Sequence, residues 1–386
     1  MKKHTSLSLS CARVALPLVG LTLPLMASAE VSRPVLLAQQ PSAHCQAPRW
    51  APDGSEVAYD VYNPKGDSRQ TFITTLTPDG RPKNQRREVK IAGKSSWGAK
   101  GPPVVDFEWA PDKKLLSDPF VFSSRGPKKN YDLYADGTWL TEHNGNDGQP
   151  AWSLDGRFIA FTSQERDSGV VKVLDLSGDA SPRQLTFWND STEYMPRWAP
   201  TGHTLAFVRS QSGRQGQDIG VIDDVVKPRE TARMLTNWEG DEMRPSWSPD
   251  GQLIAFYANK GRKQKDDKIF DLWVVDRNGG GAKQLAKDVV VDDHRGPAWS
   301  NDSSSVFYVK RDFKVDNPIM WTRVDGSARG VIKTNTQINS DLAVFPVEGG
   351  ARMRLAFKAL GEKGSPNKTW QRLYMVTFSM ADLVGE

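Results

Sequence analysis

Cysteine and histidine are scarce in this 386-residue chain, which has two of the first and five of the second. Two cysteines exclude a disulfide scaffold and a four-cysteine zinc site. The patterns Cys-x-x-Cys, His-Glu-x-x-His, Gly-x-Ser-x-Gly and the P-loop are all missing, so the enzyme classes that depend on them are not expected. Beyond Met26 no apolar stretch approaches the roughly 20 residues of a membrane helix. No segment has helical periodicity. Charge of one sign is in small excess, with 51 Lys and Arg against 46 Asp and Glu. So balanced a chain is not expected to bind nucleic acid. At 38 % hydrophobic residues, with 13 Trp, it is too apolar for a disordered state.

The first residues read as an export signal. Lys2, Lys3 and Arg13 give a basic start, residues 14–26 form an apolar run broken by Pro17 and Pro24, and Ala27-Ser28-Ala29 is a small-x-small cleavage site. Residues 1–29 are therefore predicted to be a cleaved signal peptide, which places residues 30–386 in the periplasm, with secretion as the alternative. Cys11 precedes the apolar run, where it fits a lipid anchor poorly.

What the rest of the chain has is a repeat. Residues 48–54 (PRWAPDG), 107–112 (FEWAPD), 150–156 (PAWSLDG), 196–202 (PRWAPTG), 245–251 (PSWSPDG) and 297–302 (PAWSND) align on Trp50, Trp109, Trp152, Trp198, Trp247 and Trp299. A period near fifty residues points to a propeller or a solenoid. Each Asp-Gly or similar pair lies between apolar runs, which is a tight-hairpin signal. A third strand follows, as in residues 270–275 (FDLWVV), and a fourth ends in Leu-Thr, as in residues 184–186 and 234–236. Four strands per unit make one antiparallel blade of an all-β propeller. Residues 341–376 supply three strands of a further unit, with Phe345 in the Trp position. Residues 35–37 precede Trp50 at the spacing that separates Leu185 from Trp198, so they are predicted to complete that last unit. The expectation is a single seven-bladed domain whose ring is closed by its N-terminal strand, with six blades as the alternative.

The motif of residues 245–256 (PSWSPDGQLIAF), recurring sixfold and followed by a strand, a turn and Leu-Thr, resembles the repeat of the bacterial TolB-type propellers, whose units are similar to WD repeats. The resemblance implies a periplasmic propeller that binds proteins of the cell envelope. The α/β domain that precedes the propeller in full TolB proteins has no counterpart between Glu30 and Trp50.

The repeat Trp residues and the turn Asp residues recur in unit after unit, which favours structural roles for both. Five or six residues before each repeat Trp, polar groups accumulate: Asp147, Glu193, Asp241, Glu242, Asp293 and His294, joined by Asp341 before Phe345. Read as loops around the channel mouth, these positions form the expected contact surface for an envelope protein or peptide segment, with Trp188 and Trp238 as an aromatic rim. Converging carboxylates also suit a hard cation such as Ca²⁺. No other cofactor is expected. His44, His143 and His294 occupy similar positions and carry the alternative reading, a metal-dependent lyase acting on an acidic polysaccharide. A non-enzymatic binding or scaffold module is the leading expectation. Two basic stretches, residues 81–90 and 260–265, read as solvated loops. Cys45 is expected as a free thiol or an intermolecular partner.

Overall fold

In a computed structural model of the chain, the described residues are 31–384 except 67, 92–102, 127, 166–167, 179–180, 262–268, 293–294, 313–315 and 365–368. The predicted signal peptide and the lysines of residues 262–265 lie outside them, as do Asp293 and His294.

The alternation of apolar and polar residues in each repeat yields strands, and the turn residues fold them back on each other. The first unit is an antiparallel sheet of His44–Trp50, Glu56–Asn63, Ser68–Leu76 and Pro82–Glu88. The units that start at Val104–Trp109 and Asn146–Trp152 repeat this four-stranded order. From Ser191–Trp198 onward the ladders run on between units. Gly216–Ile222 pairs in parallel with Gly240–Trp247 at one end, and Lys283–Val290 pairs antiparallel with Ser305–Lys310. The last unit comprises Ser340–Val347, Arg352–Ala359 and Arg372–Phe378, and its fourth strand is Val35–Ala38. That pairing is antiparallel, with Val35 opposite Met375 and Leu36 opposite Tyr374. Among the described residues no helix is long and apolar enough to cross a membrane.

The core lies between units. Leu37, Cys45, Val57 and Tyr59 pack with Leu373 and Met375 of the last unit, and other clusters join successive units in the same way. Five of the six repeat Trp residues add a hydrogen bond across such a seam. The indole Nε1 of Trp109 donates to the Arg49 carbonyl at 3.0 Å, Trp198 to Ala151 at 2.9 Å, Trp247 to Arg197 at 3.0 Å and Trp299 to Ser246 at 3.1 Å. Trp50 donates to Ala343 at 3.0 Å, linking the first unit to the last. Trp152 departs from the pattern and donates to Gly156 in its own turn.

The turn aspartates act locally. Asp155 accepts from the Ser153 hydroxyl at 2.6 Å and the Arg157 N–H at 3.0 Å, and Asp250 repeats the arrangement with Ser248 and Gln252. Gly54 is needed at one such turn. Its φ is +68°, and a Cβ there would lie 2.2 Å from the Phe345 ring.

Candidate functional site in the central channel

The innermost strand of six units carries the same irregularity. The ladder slips just before the repeat aromatic residue, at Gln46/Arg49, Val105/Glu108, Gly148/Ala151, Tyr194/Arg197, Met243/Ser246 and Ser340/Ala343. Inside each slip one residue takes a left-handed φ of 51° to 58°: Ala47, Asp106, Gln149, Met195, Arg244 and Asp341. A bulge of this kind re-aims a side chain out of the pleat. Here Asp106, Gln149, Met195 and Arg244 line one cavity of about 480 Å³. The bulges are also linked around the wall. The Gln149 N–H donates to Asp106 Oδ2 at 3.0 Å, the Met195 N–H to Gln149 Oε1 at 3.0 Å and the Ala47 N–H to Asp341 Oδ2 at 3.1 Å.

The same cavity collects five arginines, Arg49, Arg69, Arg197, Arg244 and Arg295, against two carboxylates, Asp106 and Glu108. A second cavity of about 510 Å³ lies at the Trp-Ala-Pro turns. The two cavities share Arg49, Glu108, Arg197 and Arg295. At this waist the Arg295 guanidinium donates to Glu108 Oε2 at 2.8 Å, joining units 187 residues apart.

The acidic positions expected at the channel mouth lie elsewhere. Asp147, Glu193 and Glu242 are 0 % exposed and Asp341 is 3 % exposed. They are not loop residues but the second or third residues of innermost strands, or the bulge itself, and strand alternation turns the first three into the seam with the preceding unit. There each meets the Thr of the preceding Leu-Thr. The hydroxyls of Thr141, Thr186 and Thr236 accept the N–H groups of Leu133, Val171 and Ile219 at 2.8 to 3.0 Å, beside Asp147, Glu193 and Glu242. Two recurring sequence features, the acid and the Leu-Thr, thus meet at the seams between units. Spread one to a seam, these carboxylates do not converge on a cation.

Burial raises the pKa of all three. Asp147 is also tied to His143, whose Nδ1 accepts the Gly145 N–H while Nε2 lies 2.9 Å from Asp147 Oδ2. Burial and the neighbouring Asp147 charge bring Asp132 up to about 6. Glu242 is pushed up to about 8 by burial and by Asp218 beside it. Between the ordinary glutamate value of 4.5 and 8 the folded state therefore holds a proton that the unfolded chain releases, and stability falls as pH rises through that window. Glu242→Gln is expected to raise the melting temperature by several degrees near pH 8 and to leave it almost unchanged near pH 5, as read by calorimetry at both values. A uniform shift at both would contradict this account.

The remaining candidates are engaged locally. Asp241 is half-buried, and its N–H donates to Asn259 Oδ1 at 2.6 Å. Trp188 packs on Phe207 at 5.7 Å beneath the Arg209 guanidinium. Trp238 packs on Phe256 and Trp273 with Lys260 Nζ 3.8 Å from its ring. His44 stands edge-on to Trp370 at 5.2 Å, and its Nδ1 accepts the Gln371 N–H. Among the described residues no three His, Cys, Asp or Glu side chains are grouped to hold a metal ion. Cys45 is 0 % exposed and burial pushes its thiol up to about 12, so it is a core residue closed to intermolecular pairing. In the first basic stretch Arg86 and Arg87 lie over Phe72 and Phe120.

The channel arginines were legible as residues but not as a set. Arg49 and Arg197 both precede a repeat Trp, whereas Arg244 reaches the channel only through its bulge, which has no sequence signature.

A family model described as TolB beta propeller domain matches residues 35–301. No curated protein sequence is a significant match. Among solved structures, an oligogalacturonate lyase from Vibrio parahaemolyticus aligns at a TM-score of 0.55 and 10 % identity, covering 91 % of this chain and 98 % of that one. Prolyl oligopeptidase B from Galerina marginata, with a bound 25mer macrocyclization substrate, aligns at 0.51 and 14 %, covering 84 % and 48 %. TolB from Acinetobacter baumannii aligns at 0.49 and 22 %, covering 72 % of this chain, which spans 63 % of that one. At these identities the likeness concerns the fold.

Proposed function

The chain belongs to the TolB beta propeller domain family, and from that premise we propose a seven-bladed ring, closed by Val35–Ala38, that works in the periplasm as a binding scaffold. Closure is supported by the pairing of Val35–Ala38 with Arg372–Phe378 and by the Trp50 to Ala343 hydrogen bond. The partner surface is the channel mouth at the Trp-Ala-Pro turns. One observation carries this reading: the 510 Å³ cavity there is lined by the equivalent turn residues of the units, including the repeat Trp of six of them and Phe345 of the last. A concave site to which every blade contributes is where a propeller presents the most surface to one ligand. Leu154 is 64 % exposed at its edge, an apolar anchor facing solvent.

A photo-crosslinking residue at position 154 is expected to capture an envelope protein in living cells. The same residue in place of Val226, which is 58 % exposed and outside the cavity, is expected to capture none. Capture from position 226 alone would place the partner surface elsewhere.

A further inference from the structure

The chain has two Asn-Gly pairs, Asn144-Gly145 and Asn278-Gly279. In such a pair the glycine nitrogen can attack the asparagine side-chain carbonyl, because the missing Cβ leaves the approach open. A peptide nitrogen is a poor nucleophile while it keeps its proton, since its lone pair is shared with the preceding carbonyl. The group that accepts this proton therefore decides the reaction, and there the two pairs differ. The Gly279 N–H donates to the Asp276 carbonyl at 2.8 Å, whereas the Gly145 N–H donates to His143 Nδ1 at 2.9 Å. A carbonyl oxygen is too weak a base to take the proton, but an imidazole nitrogen at this distance is placed as a general base. With Nδ1 accepting, Nε2 carries the ring proton, and it lies 2.9 Å from Asp147 Oδ2. The carboxylate holds the ring in the basic tautomer and stabilises the imidazolium that forms. Gly145 is fixed against the imidazole: its carbonyl accepts the Asn130 amide of the preceding unit, and a Cβ on it would lie 2.7 Å from the Gln164 carbonyl oxygen. Asn144 is exposed at a bend, and its side chain has no hydrogen bond among the described residues.

We propose that Asn144-Gly145 is a self-modification site, at which His143 promotes cyclisation and deamidation of Asn144. The Gly145 nitrogen bonds to Asn144 Cγ as its proton passes to His143 Nδ1. The imidazolium gives that proton to the departing side-chain nitrogen, the bond from Cγ to that nitrogen breaks, and ammonia leaves a five-membered succinimide. Water then opens one of the two ring C–N bonds, which yields an aspartate or an isoaspartate at position 144. Either product adds a negative charge to the loop that joins the second and third units.

Peptide mapping by mass spectrometry of the mature protein held at neutral pH is the test, with Asn278 as the internal control. Asn144 is expected to convert at least about tenfold faster than Asn278, within what a placed general base supplies. His143→Phe keeps a ring in place but removes the base, and is expected to slow Asn144 by a similar factor while leaving Asn278 unchanged. Asp147→Asn, which keeps the shape of the buried group, is expected to slow Asn144 as well. An unfolded variant exposes both pairs alike, so a fall confined to Asn144 cannot come from unfolding, and the comparison of the two pairs in the unaltered protein needs no variant. Equal rates at the two pairs in the native protein, or an Asn144 rate unmoved by both His143→Phe and Asp147→Asn, would overturn the proposal.

Discussion

Removal of residues 31–38 from the mature chain is expected to lower its stability by about 5 kcal/mol or more and to make it aggregate. The segment buries Leu37 and Ala38 in the cluster that joins the first and last units, and full burial of one leucine contributes about 1.5–3 kcal/mol. It also supplies the ladder to Arg372–Phe378 and the Ser32 bonds to Thr377, at 2.9 and 2.8 Å, each hydrogen bond adding roughly 0.5–1.5 kcal/mol. Without it the strand Arg372–Phe378, which carries the buried Leu373, Met375 and Val376, becomes a bare edge and a template for intermolecular pairing. Thermal melts and light scattering of the truncated protein read both effects. An unchanged melting temperature with a monodisperse solution would refute the proposed closure, because an outer strand that holds two chain ends together cannot be removed without consequence.

That strand was legible from one spacing, the distance between an apolar residue and the next repeat Trp. The repeat itself was legible because Trp, Pro and Asp-Gly have fixed geometric roles at a blade's inner turn. The acidic residues were legible as a recurring set but were assigned to the wrong environment. A strand that starts six or seven residues before the Trp and bulges three before it puts Asp147, Glu193 and Glu242 in the seams between units, and no residue type marks such a bulge. Ala47, Asp106, Gln149, Met195 and Arg244 share a left-handed φ and nothing else.

Asp60→Ala is expected to cost about 3–5 kcal/mol, the usual penalty for stripping the partner from a buried charge. Arg49 is 4 % exposed and Asp60 0 %, and Asp60 grips Arg49 through both carboxylate oxygens at 3.0 and 3.2 Å and also accepts the Thr71 hydroxyl at 2.8 Å. Burial alone would depress the Arg49 pKa, and the Asp60 charge more than restores it, so the pair is stable only as a pair. The remaining acidic neighbours, Glu108 and Asp106, are committed to Arg295 and to the Gln149 N–H. Replacing both partners by apolar residues, as in Arg49→Met with Asp60→Val, removes both buried charges together and is expected to recover most of the lost stability. Chemical denaturation of the two single variants and the double variant then gives a coupling energy comparable to the single losses. Additive losses would mean that Asp60 acts through Thr71 rather than Arg49.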